Sequence, residues 1–270
     1  MVCSSLDSFQ VLNTAAWEAD FGNRPEGTVC TQRVDHSTFN MASDACCTPA
    51  PPAEHIDEGK TGTIGGLPAY LNNPSGSAKA AIIFAPDVFG YDAPLIRKLA
   101  DKAAAAGFYA VIPDLLKGDP YVPKDPAAPF ANVGPWIAIH HPELKEQGVE
   151  SVGIAGFCWG ARVAVMIGKE PDLIKATFLC HPSFTTKENV TDLKVATAIL
   201  ASEIDDFTPP SLVLEFKEIL DTKPFPSLVK IFPGQTHGWT IRYDVNDPHL
   251  VKGAEEAHED LLAFAKKVLV

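Results

Sequence analysis

A cysteine set between two glycines, where a strand pattern gives way to a helix pattern, constrains this chain more than any other feature. Gly156-Phe157-Cys158-Trp159-Gly160 follows the apolar run Ser151-Val152-Gly153-Ile154-Ala155 and precedes the small-residue run Ala161-Arg162-Val163-Ala164-Val165-Met166-Ile167. A strand-to-helix turn this short leaves no room for bulk beside the central residue, and glycine adopts the angles it needs at little steric cost. Such a turn lifts a nucleophile to the carboxyl end of a sheet, beside the positive end of a helix. A cysteine among apolar residues is ordinarily a small buried hydrophobe, so the meaning of Cys158 depends on the rest of the chain.

From about residue 60 the pattern alternates strand and helix, which implies one α/β domain with a mostly parallel central sheet and helices on both faces, a three-layer sandwich. Gly66–Leu71 is expected to be an early edge strand, Ala80–Ala85 a strand buried on both faces, Pro94–Ala106 a helix ended by Gly107, and Phe108–Pro113 the next strand. Residues 114–148 carry a run of prolines and read as an excursion over the site, with one helix over Asn132–His140. After the Cys158 turn come strands at Ala176–Cys180, Ala196–Leu200 and Leu228–Phe232, a helix at Pro210–Leu220 and a closing amphipathic helix over 249–268.

The first 40 residues show no sustained period and read as a disordered extension, with 41–59 an irregular linker and 60–270 the folded domain. Met41-Ala42-Ser43-Asp44 suggests that the natural start lies at Met41. With 270 residues and 46% hydrophobic content the chain can bury a large core, while a net charge of −12 argues against nucleic acid and anionic membrane as partners. No apolar run reaches the ~18 residues of a membrane span. The cysteines at 3, 30, 46, 47, 158 and 180 lack metal-ligand spacing and read as reduced thiols in a cytoplasmic protein.

A thiol nucleophile needs a base, and gains from a carboxylate that fixes the base in one tautomer. Both should stand in loops after later strands. Glu203-Ile204-Asp205-Asp206 follows one such strand; Asp205 is the favoured acid, with Asp206 and Glu203 as alternatives. An acid here is also a natural cap for the helix opening at Pro210. His237, in Pro233-Gly234-Gln235-Thr236-His237-Gly238-Trp239, occupies the later slot and is the candidate base. Backbone N–H groups of Trp159 and Val88 are the candidate oxyanion donors. Asp87 lies near enough to oppose thiolate formation and so to gate it, or else it serves as a turn residue. His181, at the end of a strand on the same edge, either touches substrate or is structural, and His140 and His141 are further pocket candidates.

These segments together resemble the dienelactone hydrolase (carboxymethylenebutenolidase-like) family of α/β-hydrolases. The resemblance covers about residues 60–268 and rests on Asp87-Val88-Phe89-Gly90, Pro113-Asp114-Leu115, Gly156–Gly160, Asp205 with Pro209, and Gly234-Gln235-Thr236-His237-Gly238. It implies a Cys158–Asp205–His237 triad that opens lactones or activated esters through a thioester, with neither metal nor organic cofactor. A monomer or weak homodimer acting on a small-molecule ester or lactone is expected. Asp87 stands where founding members carry glutamate, Ala161 where glycine is frequent, and Arg242 is offset by one residue from the family's substrate-carboxylate arginine; Trp239 is a further substrate-contact candidate. The Asp87–Gly90 and His237–Trp239 wording is similar to plant-like members, some described as β-glucan endohydrolases. Glycoside hydrolysis, with Asp87 and Asp205 or Asp206 as its carboxylate pair, is therefore one alternative. A non-catalytic ligand-binding protein on this scaffold is another.

Overall fold

Period-two alternation inside the central strands divides the core into two halves. The computed structural model describes residues 51–118, 144 and 147–270. Its elements run β1 (Lys60–Ile64), β2 (Leu67–Asn72), β3 (Ala80–Ala85), α1 (Pro94–Ala105), β4 (Tyr109–Pro113), β5 (Ser151–Phe157), α2 (Trp159–Ile167), β6 (Ala176–Cys180), α3 (Lys187–Thr191), β7 (Ala196–Ile204), α4 (Pro210–Asp221), β8 (Ser227–Thr236) and α5 (Pro248–Leu269). Ala81, Ile83, Val152, Ile154 and Ile199 turn to one face, where α2 and α4 lay down Val163, Ala164, Val213 and Phe216. Ile82, Phe84, Ala155, Phe157 and Leu200 turn to the other, under Leu95, Leu99 and Ala103 of α1 and Leu261 and Phe264 of α5. β3 and β4, buried on both faces, are thus apolar throughout, as a parallel sheet between two helical layers demands, while the buried Thr177 of β6 and Thr197 of β7 hydrogen-bond each other at 3.1 Å.

The eight strands take the order β1-β2-β4-β3-β5-β6-β7-β8. β1 and β2 are antiparallel to their neighbours, and β4 through β8 are mutually parallel. This is the three-layer α/β-hydrolase architecture expected from the alternation. One placement differs: β2 is not the edge. Lys60-Thr61-Gly62-Thr63-Ile64 pairs outside it, with Lys60, Thr61 and Thr63 exposed or half-exposed. A short polar strand ending in a charge suits an edge, and its one inward apolar residue, Ile64, is too little signal to read as a strand.

Several boundaries also moved for physical reasons. Pro233-Gly234 reads as a strand breaker, yet β8 continues to Thr236, because β7 and β8 shift register between Ser202 and Ile204. The bulge accommodates Pro233, which has no N–H, and Gly234 at φ 71°; the Gly234 N–H donates instead to the Glu203 carboxylate at 2.8 Å. β7 likewise runs four residues past Leu200, so Asp205 is the first residue beyond it. The five-residue α3, capped reciprocally by Thr186 and Asn189, is too short to show a period. The side chain of Asp247 accepts from the N–H groups of His249 and Leu250 and starts α5 one residue earlier than the pattern suggested.

The segment before β1 has no regular structure but is tied down from His55 onward. Asp101 on α1, itself buried, accepts from His55 Nε2 at 2.7 Å, from the Glu58 N–H at 3.1 Å, from Tyr70 Oη at 2.5 Å and from Asn72 Nδ2 at 2.7 Å. The extension 1–40, the expected helix Asn132–His140, His140 and His141 lie outside the described residues.

Candidate active site

The parallel order β3-β5-β6-β7-β8 brings the carboxyl ends of five adjacent strands side by side. In such sheets this edge is where ligands sit. Cys158 tops β5 at φ 54°, ψ −114°, angles a non-glycine residue rarely adopts. Two glycines make the turn possible. A Cβ on Gly156 would lie 2.1 Å from the Gly160 carbonyl oxygen, and one on Gly160 would lie 2.1 Å from that of Ala85. Trp159 is the first residue of α2.

His237 follows β8 directly. Its Nδ1 donates to Asp205 Oδ2 at 2.7 Å, and both side chains are almost wholly buried. Asp205 is held for that bond: Ser202 Oγ donates to the same oxygen at 2.8 Å, and the N–H groups of Phe207 and Thr208 donate to Oδ1 at 2.9 and 3.3 Å. The alternatives separate here. Glu203 is still in β7, exposed, with its carboxylate on Gly234; Asp206 is turned to solvent.

The opposite side of the His237 ring meets Cys158. Burial pushes the imidazole towards neutrality, but the Cys158 sulfur, as neighbouring charge and hydrogen-bond partner, and the Asp205 carboxylate outweigh it and hold His237 up at about 9. Ser183 completes a triangle, its Oγ 3.4 Å from Cys158 Sγ and 3.4 Å from His237 Nε2.

Asp87 lies beyond the end of β3, 1% exposed. Its Oδ1 accepts the Phe89 N–H at 3.0 Å, a turn contact, while Oδ2 is 3.0 Å from Arg242 Nε. Burial and the nearby Cys158 sulfur raise its carboxyl to about 6, against the lowering pull of Arg242. Arg242 also stacks over the Phe89 ring at 5.3 Å and fits because Gly238, at φ 95°, has no Cβ; one there would stand 2.5 Å from Nη2. The guanidinium is therefore ion-paired to Asp87.

Val88, in the loop after β3, and Trp159, at the start of α2 after the neighbouring β5, are both buried. His181, at φ 36°, sits behind the His237 ring at 5.1 Å and against Trp239 at 5.6 Å, and its Nε2 is 2.8 Å from Thr240 Oγ1. Burial, then the neighbouring His237 and Arg242, keep it neutral, well below the usual histidine range. Trp239, 1% exposed, packs on Phe232 at 5.2 Å. His181 and Trp239 thus form the wall behind His237. Sequence reasoning passed over Ser183, Ser202 and Phe207, whose ring lies 5.2 Å from that of His237. Only Ser183 carried a signal: it stands three residues past the end of β6, on the edge that carries Cys158.

The chain matches the model of the dienelactone hydrolase family over residues 67–269. It is 30% identical over 247 residues to a carboxymethylenebutenolidase homolog from Xenopus tropicalis, covering 85% of this chain and 100% of that one. It is 38% identical over 168 residues to an endo-1,3;1,4-beta-D-glucanase from Zea mays, covering 58% of this chain. The alignment spans about half of the maize protein's length, 52%. Among solved structures, esterase 2 of Thermogutta terrifontis superposes with a TM-score of 0.59 at 14% identity, over 79% of this chain and 96% of that one, a likeness of fold. An α/β-hydrolase sheet with a cysteine at the tight turn after β5 thus coincides with a family match across nearly the whole described domain. The chain belongs to the dienelactone hydrolase family, and with it to the ester and lactone hydrolases.

Proposed function

We propose that this protein hydrolyses small-molecule lactones or activated carboxylic esters through a thioester on Cys158. The observation that carries the reading is one line of contacts: Asp205 to His237 Nδ1 at 2.7 Å, and the other side of the same ring to the Cys158 sulfur. The thiol proton passes to His237 Nε2, and the sulfur attacks the carbonyl carbon. Negative charge on the carbonyl oxygen is met by the N–H groups of Val88 and Trp159. Collapse of the intermediate expels the alkoxide, which takes the proton from His237; a lactone opens, so this oxygen stays on the acyl chain. A water deprotonated by His237 then releases the acid and restores the thiol.

The direct test is to mix the protein with an activated ester, quench in acid and map the mass. An acyl adduct confined to the Cys158 peptide is expected. Rapid hydrolysis with the acyl group on another residue, or on none, would remove the basis of the reading.

Asp87 is proposed as the gate. An ionised carboxylate beside the sulfur opposes thiolate formation, and its pairing with Arg242 sets how far it can turn away. Asp87→Asn removes the opposing charge. The thiolate absorbance of Cys158 should then appear about one unit lower in pH, a tenfold gain in ionised thiol on the acid side. An unmoved or raised titration would rule out the gate.

A second reading, glycoside hydrolysis, is favoured by the description of the maize relative. It needs an acid and a base free to flank a glycosidic bond. Against it, Asp205 is committed to His237, Ser202 and two backbone N–H groups, and Asp87 to Arg242.

A further inference from the structure

Ser183 is fully buried, and the chain around it is strained. His181 at φ 36° and Phe184 at φ 55° lie on either side of it in sequence, and neither is glycine. Positive φ at such residues is unfavourable and persists where surrounding contacts enforce it. Those contacts run to the site itself. The Ser183 N–H donates to the Cys158 carbonyl at 3.1 Å, Thr208 Oγ1 donates to the Pro182 carbonyl at 2.7 Å, and Arg162 donates to the Phe184 carbonyl at 3.3 Å. Segment 181–184 is thus fastened to the Cys158 turn on one side and to the Asp205 loop on the other. The result is a hydroxyl 3.4 Å from the sulfur and 3.4 Å from the imidazole nitrogen that takes its proton.

We infer that Ser183 is a catalytic residue: its hydroxyl donates a hydrogen bond to the Cys158 sulfur after the thiol proton has moved to His237, and so stabilises the thiolate ready for attack. No bond to Ser183 forms or breaks, and its own proton stays on Oγ. The inference rests on Cys158 being the nucleophile. A neutral donor is useful here because the thiolate otherwise has two charged groups acting on it with opposite sign: His237 favours it and Asp87 opposes it, with Arg242 behind Asp87 and neutral His181 behind His237. A hydroxyl adds stabilisation that does not depend on the ionisation of Asp87. Once the sulfur is acylated and uncharged, the same hydroxyl is released towards His237 Nε2.

The test compares thiolate ultraviolet absorbance against pH in the full chain, in Ser183→Ala and in Ser183→Thr, each referenced to Cys158→Ala. Cys180 adds nothing to this signal, because burial pushes its thiol far above the usual range. The ionisation of Cys158 should move up by about one unit in Ser183→Ala and return in Ser183→Thr. Ester hydrolysis by Ser183→Ala should fall about tenfold below that ionisation and recover above it, a pH-dependent loss that a packing defect would not produce. A titration in Ser183→Ala that superimposes on the parent overturns the inference. If the parent shows no ionisation lost with Cys158→Ala, the nucleophile reading itself fails, and this inference with it.

Discussion

Cys158→Ala is expected to lower kcat/KM for activated esters by at least ~10⁴-fold while leaving thermal stability nearly unchanged. The activity loss follows from removing the group proposed to form the covalent intermediate. What remains is the oxyanion site and substrate binding, which in other triad hydrolases retain only a small part of the acceleration. Stability should change little because the sulfur fills a small volume, and the turn is set by Gly156 and Gly160 rather than by the side chain between them. Steady-state kinetics with a melting curve separates the two effects. Undiminished ester hydrolysis would discard the thioester mechanism. Release of reducing sugar from a mixed-linkage β-glucan by this variant, lost in Asp87→Asn, would favour the glycosidase. Ligand-induced stabilisation of the parent by a panel of esters and lactones, with no turnover of any, would favour a binding protein.

Asp205→Asn carries the second large effect, a loss of roughly 10³–10⁴ in kcat at neutral pH. The carboxylate can only accept, so it holds the proton on Nδ1 and leaves Nε2 facing the sulfur; an amide can donate there and hold the wrong tautomer. The substitution also withdraws one of the pulls that raise His237 to about 9. The sign for stability follows from linkage. A histidine whose folded pKa exceeds its unfolded value binds extra protons when folded, so its stabilisation is complete below about 6.5 and is lost as pH rises towards 9. The parent should therefore melt progressively lower between those limits, and Asp205→Asn should flatten that slope. A parent melting temperature that rises over the same interval would contradict the buried ion pair.

Strand and helix positions were legible where the pattern is local. The wholly apolar Ala80–Ala85, the Pro94 start with its Gly107 exit, and the glycines about Cys158 each report on their own neighbourhood. Where the pattern was misleading, a partner strand was responsible. Pro233-Gly234 stops a strand in isolation, but beside β7 it makes a bulge and the ladder resumes at Thr236. Lys60–Ile64 has too little apolar character to stand as a strand until β2 offers its edge.

The site divides in the same way. Cys158 is marked by its own flanking glycines, and the order of nucleophile, acid and histidine along the chain limits the partners to two short loops. Within Glu203-Ile204-Asp205-Asp206, Asp205 was the favoured acid, but Asp206 and Glu203 stayed open as alternatives. Which of them meets His237 depends on where β7 ends and on the shift it takes against β8. Ser183 was marked only by standing just past β6 on the edge that carries Cys158; the placing of its hydroxyl comes with positive φ at His181 and Phe184, enforced by bonds to segments distant in the chain.

The amino-acid order alone determined the layered α/β class, the bend that carries the sulfur and the succession of groups able to serve it, because steric freedom at glycine and alternation of apolar side chains act between near neighbours. Tertiary structure decided which carboxylate faces the imidazole, that Arg242 is paired with Asp87, and that a serine hydroxyl stands 3.4 Å from both sulfur and ring. Those outcomes depend on register and on distances of a few ångströms between strand ends, which no local pattern encodes.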